Sequence, residues 1–171
     1  VSLVLSNIYT ISMLQTPPLL RRPINTRVEF YNDNLIRSAV DFEIGRGGQV
    51  YFIHNDIRTI KSVVFRLRSF FPLLSIEFIH GQEVSSKIEN KMSLFVSGKI
   101  NILVCTSIIE SGIDVPSANC IIITNSHLFG LSQLYQMRGR IGRSSLQAYA
   151  YLLIPNNISL SNTAYKRIKS I

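Results

Sequence analysis

Short apolar runs rich in β-branched residues alternate along this chain with longer stretches in which apolar positions recur every three or four residues. The runs QVYFIHND (49–56), SIEFIH (75–80), NILVCT (101–106), NCIIIT (119–124) and QAYAYLLI (147–154) are bounded by turn residues and read as strands, the first of them buried. A further edge strand is expected near Arg27 to Tyr31. Leu35, Ile36, Ala39 and Val40 carry helical spacing from Asp33 onward, and Gly45, Gly47 and Gly48 stop that helix. Ile57, Ile60, Val63, Val64 and Leu67 form the inner face of a second helix, which Asp56 can cap and Pro72 ends. A third carries Ile88, Met92, Leu94 and Phe95, with Ser86 and Glu89 spaced as a capping box and Gly98 closing it. Leu131, Leu134 and Tyr135 predict a short helix whose apolar face lies on a core, and a last helix is expected from a cap at Ser161 or Asn162.

Strands alternating with helices of this length argue for βαβ units, a mostly parallel sheet and helices on both faces, an α/β fold. In open sheets of this kind ligands collect beyond the carboxyl ends of the strands. Those ends are His54-Asn55-Asp56, His80-Gly81-Gln82, Thr106-Ser107 and Thr124-Asn125, so polar groups are expected along one edge. Each is also a natural hydrogen-bonded turn, and only their number beside a basic stretch favours a site.

That stretch is QLYQMRGRIGRS (133–144). Gln136, Arg140 and Arg143 are spaced i, i+4 and i+7, which predicts one shared face, and Gly139 and Gly142 are expected to end the helix and permit close backbone approach. Two guanidiniums and an amide aimed at one point suit a phosphate, because arginine offers a planar fork of donors that stays charged. The alternative is a solvated basic turn.

With 171 residues, 46% of them hydrophobic and 16% charged, the chain can build one domain with a real core and is not a disordered composition. A net charge of +8 points to a polyanionic partner, nucleic acid first. Cys105 and Cys120 lie in apolar runs and read as buried, reduced thiols, which suits a cytoplasmic setting. His54, His80 and His127 lack metal-ligand spacing, no apolar run approaches membrane length, and the first residues make a poor signal peptide. The start at Val1 suggests a fragment or a processed terminus.

GGQVYFIHND, HGQ, TSIIESGIDVPSANCIIIT and QLYQMRGRIGRS, in that order, resemble the second RecA-like (helicase C-terminal) lobe of superfamily 2 helicases and translocases. Within it the likeness is to the transcription-repair coupling type, with the branch-migration helicase RecG as a near relative. It covers nearly the whole chain and implies a RecA-like three-layer fold. Residues 1–32 would be an interlobe connector and edge segment, 33–155 the lobe, and 156–171 the start of a truncated C-terminal helical element. By the resemblance, Arg140 and Arg143 reach ATP bound on a first lobe and act on the transferring phosphate, with Gln136, Gly112 and Asp114 near the nucleotide. Thr106 would meet the nucleic-acid backbone, and Ser107, Asn55, Asp56, His80, Gly81 and Gln82 would line the track.

The implied partners are double-stranded DNA, the first lobe and, through the parent protein, RNA polymerase; no membrane is implied. The implied cofactor is ATP, with Mg²⁺ held by the first lobe. This sequence has no GxxxxGK[ST] loop and no DExH-type box, so alone it is not expected to hydrolyse ATP. Tyr9 and Thr10 stand where the family has arginine and aspartate, which sets its connector apart. The alternative function is a non-catalytic nucleic-acid-binding remnant of such a protein.

Overall fold

The structure is a computed structural model that describes residues 22–106 and 114–171. The proline-rich opening (1–21), Ser107 and Gly112 lie outside the described residues. Six strands, β1 (Asn25–Phe30), β2 (Gln49–Ile53), β3 (Ile76–Ile79), β4 (Ile102–Cys105), β5 (Ala118–Ile123) and β6 (Tyr149–Ile154), form one sheet in the order β1-β6-β5-β2-β4-β3. Every pairing is parallel. β2, β4 and β5 are buried along their whole length, as expected of strands covered on both faces.

Helices α1 (Asp33–Gly45) and α2 (Ile60–Phe70) cover one face, where Ile36, Val40, Val64 and Leu67 pack on Val50, Phe52, Val104 and Ile122. On the other, Met92 and Phe95 of α3 (Ser85–Val96), Leu134 and Met137 of α4 (Leu131–Arg138) and Ile168 of α5 (Asn162–Lys169) pack on Tyr51, Ile53, Leu103 and Ile121. Cys105 and Cys120 belong to opposite cores, so the sheet itself separates them; burial pushes the Cys105 thiol up to about 12. No helix among the described residues is long and apolar enough to cross a membrane.

Several local expectations are corrected. Asp56 does not cap α2, which begins at Ile60; its Oδ1 instead accepts the Arg58 backbone N–H at 3.0 Å, closing a turn that leaves Ile57 exposed. Ser86 and Glu89 form no capping box, because α3 starts at Ser85 with Val84 at the cap position and Ser86 falls inside the first turn. In α4, Leu134 and Met137 are the buried pair, while Leu131 and Tyr135 are 37% and 43% exposed. The Tyr135 hydroxyl donates to the Ser170 carbonyl at 3.2 Å, a use for its polar tip at the surface. The Gln133 side chain reaches back to the Gly130 N–H at 2.9 Å and supplies the cap. Ser161 caps α5 by accepting the Ala164 N–H.

His54, at the end of β2, is buried between two hydroxyls. Thr124 Oγ1 donates to the Ile53 carbonyl at 3.1 Å, so it receives Nδ1–H of His54 at 2.9 Å, and Nε2 accepts from Thr59 Oγ1 at 2.8 Å. Burial lowers the pKa of this imidazole, against the opposing influence of Asp56. The unfolded chain takes up the proton near 6.5 and the folded chain only at lower pH, so the contribution is complete above 6.5 and is lost as pH falls below it. Urea unfolding is expected to show stability declining as the pH drops below about 6.5. His54→Gln should make that decline shallower, leaving the part due to His127, which burial lowers in the same sense. An identical decline in the variant would contradict this role.

Candidate functional site

The carboxyl ends of β2, β3 and β4 open on a cleft of about 480 Å³ lined by Asn55, Asp56, Ile57, Arg58, Gly81, Gln82 and Thr106. Five residues singled out from sequence therefore share one wall. Asp56 is committed to Arg58, whose Nε and Nη2 each lie 3.1 Å from a carboxylate oxygen; those hydrogen bonds hold the Asp56 carboxyl below its usual range. Arg58 is thus the cation among the described residues that line this cleft, and its place two residues after Asp56 is the signal that could have found it. His80 stands beside the cleft with its ring stacked on Phe78. Its turn is pinned by Glu83, which accepts the His80 N–H at 3.2 Å and an Nζ hydrogen of Lys91 at 2.8 Å. Thr124 is buried and works with His54, not with the cleft.

The arginine stretch goes elsewhere. In a parallel sheet the connection from β5 to β6 must carry the chain from the carboxyl ends back to the amino ends, and α4 is that return. Its helix stops at Arg138, so Arg140 and Arg143 do not share a helical face with Gln136. Arg140 N–H bonds to Met137 O at 3.1 Å and Ile141 N–H to Arg138 O at 3.3 Å, a tight turn that follows the end of the helix. Gly139 keeps an ordinary φ of −64°, whereas Gly142 has φ +75° and packs so closely that a Cβ there would lie 3.3 Å from Ala148 and Ile24. A Cβ on Gly139 would lie 3.3 Å from the Tyr135 carbonyl oxygen, so both glycines approach closely, and only Gly142 also needs a positive φ.

Arg143 Nε lies 3.5 Å from Asp114 Oδ1, with both side chains part-exposed. Burial, helped by Cys105 and Asp114 and opposed by Arg140 and Arg143, pushes the Tyr51 phenol up. Asp114 and the arginine turn precede β5 and β6 and are paired there, while Thr106 and its neighbours sit at the carboxyl ends of the strands. The single polar edge expected from sequence is two separate places. Exposed Gln136 lies on α4.

The family model described as "Helicase conserved C-terminal domain" matches residues 32–145. The chain is 44% identical over 165 residues to the "Transcription-repair-coupling factor" of Myxococcus xanthus, covering 96% of this chain and 14% of that protein. It thus spans about a seventh of that relative's length. The "Structure of RecG bound to three-way DNA junction" superimposes with a TM-score of 0.77 at 31% identity, over 90% of this chain and 20% of that one. "Mss116p DEAD-box helicase domain 2 bound to an RNA duplex" shares the fold, with a TM-score of 0.65 at 18% identity over 86% of this chain and 69% of that one. A parallel six-stranded RecA-like sheet and a family match across two-thirds of the residues agree: this chain belongs to the helicase conserved C-terminal domain family.

Proposed function

We propose that this chain is the second motor lobe of an ATP-driven double-stranded DNA translocase acting in transcription-coupled repair. The observation that carries the reading is the part-exposed pair of Arg143 and Asp114, with Arg140 in the same turn, away from the cleft at the strand ends. Two guanidiniums fit a polyphosphate, and the Asp114 carboxylate holds one of them aimed outward until a phosphate oxygen competes for it. ATP, with Mg²⁺ on a first lobe, would supply the phosphoryl group. Arg140 and Arg143 would stabilise the charge that develops on it, with Gln136, Gly112 and Asp114 beside the nucleotide. Residues 33–155 would form the lobe, 1–32 its connector and 156–171 the start of a helical element. RNA polymerase would be met through the parent protein.

The cleft at the strand ends would hold the DNA backbone, with Thr106, Asn55, Gly81 and Gln82 along it, His80 beside it and Arg58 as a cation, Asp56 holding that arginine in place; Ser107 would share the DNA contact. Such contacts read phosphates and not sequence. Supporting this are the basic net charge and the DNA junction on which the RecG structure was solved. Binding of this chain to a random-sequence duplex is expected to weaken by at least about tenfold between 50 and 200 mM salt, and Arg58→Ala should flatten the dependence by roughly one phosphate contact. Salt-independent binding, or the same slope in Arg58→Ala, would contradict the assignment of the cleft.

A further inference from the structure

β5 is not a regular strand. Gln49 pairs with Ala118, but the next residue, Val50, pairs with Cys120, so Asn119 is an extra residue, a β-bulge in an interior strand of the sheet. The two flanking side chains confirm it: Ala118 and Cys120 lie two apart yet enter the cores on opposite faces, which regular alternation forbids. Bulges re-aim a side chain, and the one re-aimed here is a 1% exposed asparagine in an otherwise apolar run.

Both ends of that amide are used. Nδ2 donates to the Pro116 carbonyl at 3.2 Å, two residues after Asp114, and Oδ1 accepts the Ser144 hydroxyl at 2.9 Å, one residue after Arg143. Ser144 Oγ in turn accepts the Leu146 N–H at 3.2 Å, fixing the loop beyond it. On the other side, the Asn119 backbone amide faces the buried Glu43 carboxylate of α1. Burial raises that carboxyl's pKa, and Arg46 and the Asn119 amide oppose it.

We propose that Asn119 is a positioning residue for the arginine site: its bulged side chain clamps the segment behind Asp114 to the segment beyond Arg143 and so sets the distance between the two. Neither Asp114 nor Arg143 is otherwise fixed by deep burial, since both are part-exposed and charged pairs at such sites are weakly held by their own attraction. One planar amide with a donor and an acceptor is the group that can hold a carbonyl on one strand of chain and a hydroxyl on the other. Aspartate in its place would face Pro116 O with an acceptor, and leucine would serve neither.

This role rests on the function proposed above, and the test separates the two. Asn119→Ala and Ser144→Ala are made in this chain, and amide hydrogen exchange is followed at residues 140–146 and in β6. The clamp predicts exchange at least about tenfold faster at 140–146 in both variants, with β6 unchanged, and wild-type protection in Ser144→Thr, which keeps the hydroxyl. In a polypeptide joining this lobe to a nucleotide-binding lobe, Ser144→Ala should lower kcat for ATP by roughly 10- to 100-fold while KM stays within about threefold. A residue that only stabilised the fold would instead slow turnover in proportion to lost folded protein. Wild-type exchange at 140–146 in Ser144→Ala overturns the clamp, whether or not Asn119→Ala folds. Arg143→Ala is the control beneath it: if that variant turns over ATP normally, the nucleotide reading falls while the exchange data still judge the clamp.

Discussion

Arg140→Ala is expected to lower ATP turnover by about 10³-fold or more in a polypeptide that carries this lobe together with a nucleotide-binding one, with ATP binding largely kept. A guanidinium that acts only on charge developing in the transition state contributes to kcat and little to the ground-state complex. Arg143→Ala should fall in the same direction, and Arg143→Lys should not restore the rate, because an ammonium lacks the planar fork that serves Asp114 and a phosphate oxygen in turn. Multiple-turnover kinetics with nucleotide titration measures both quantities. Wild-type kcat in Arg140→Ala would remove that residue from the site.

Leu134→Ala carries the largest expected effect on stability. Leu134 is fully buried and anchors α4 to the core formed with Tyr51, Phe129 and Ile141. Truncating it should cost about 2–5 kcal/mol, the range for a buried leucine whose surroundings relax only in part. Leu131→Ala, on a residue 37% exposed, should cost well under half as much. Since α4 delivers the arginine turn, Leu134→Ala should lower turnover as well, and Leu131→Ala should not. Equal losses in the two variants, by chemical denaturation, would mean the helix packs on the face its sequence spacing suggested and not on the one described here.

The architecture was legible because its strands are read on both faces. QVYFI, ILVC and ANCIII have no polar alternation, which is the mark of a parallel sheet between helical layers, and the glycines at 45–48 and 98 stand where α1 and α3 end. Helix starts were less legible. Asp56 has a cap residue's chemistry, but a local bond to Arg58 competes for the same oxygen, and the imidazole of His54 already holds Thr59.

The site divided in the same way. Asn55, Gly81, Gln82 and Thr106 come together because they follow strands, a rule that needs no coordinates. The arginines follow a different consequence of the same rule: a segment that precedes a parallel strand lies at its amino end, so the turn before β6 belongs away from the cleft. That step was available in the sequence and separates the two places. The bulge was not available, since NCIIIT reads as an unbroken strand and only pairing with Gln49 and Val50 reveals the extra residue.

The central claim is that Arg140 and Arg143 serve a nucleotide held by a partner lobe and not by this chain. The direct measurement is ¹⁵N NMR of the arginine Nε–H groups in this chain, with ATP alone and then with a nucleotide-binding RecA-like lobe added. The account predicts that ATP alone leaves the Arg140 and Arg143 signals in place and that the second lobe with ATP shifts both, while Arg58 responds instead to duplex DNA. Saturable shifts of Arg140 and Arg143 with ATP alone, or no shift when the lobe and ATP are both present, would contradict it.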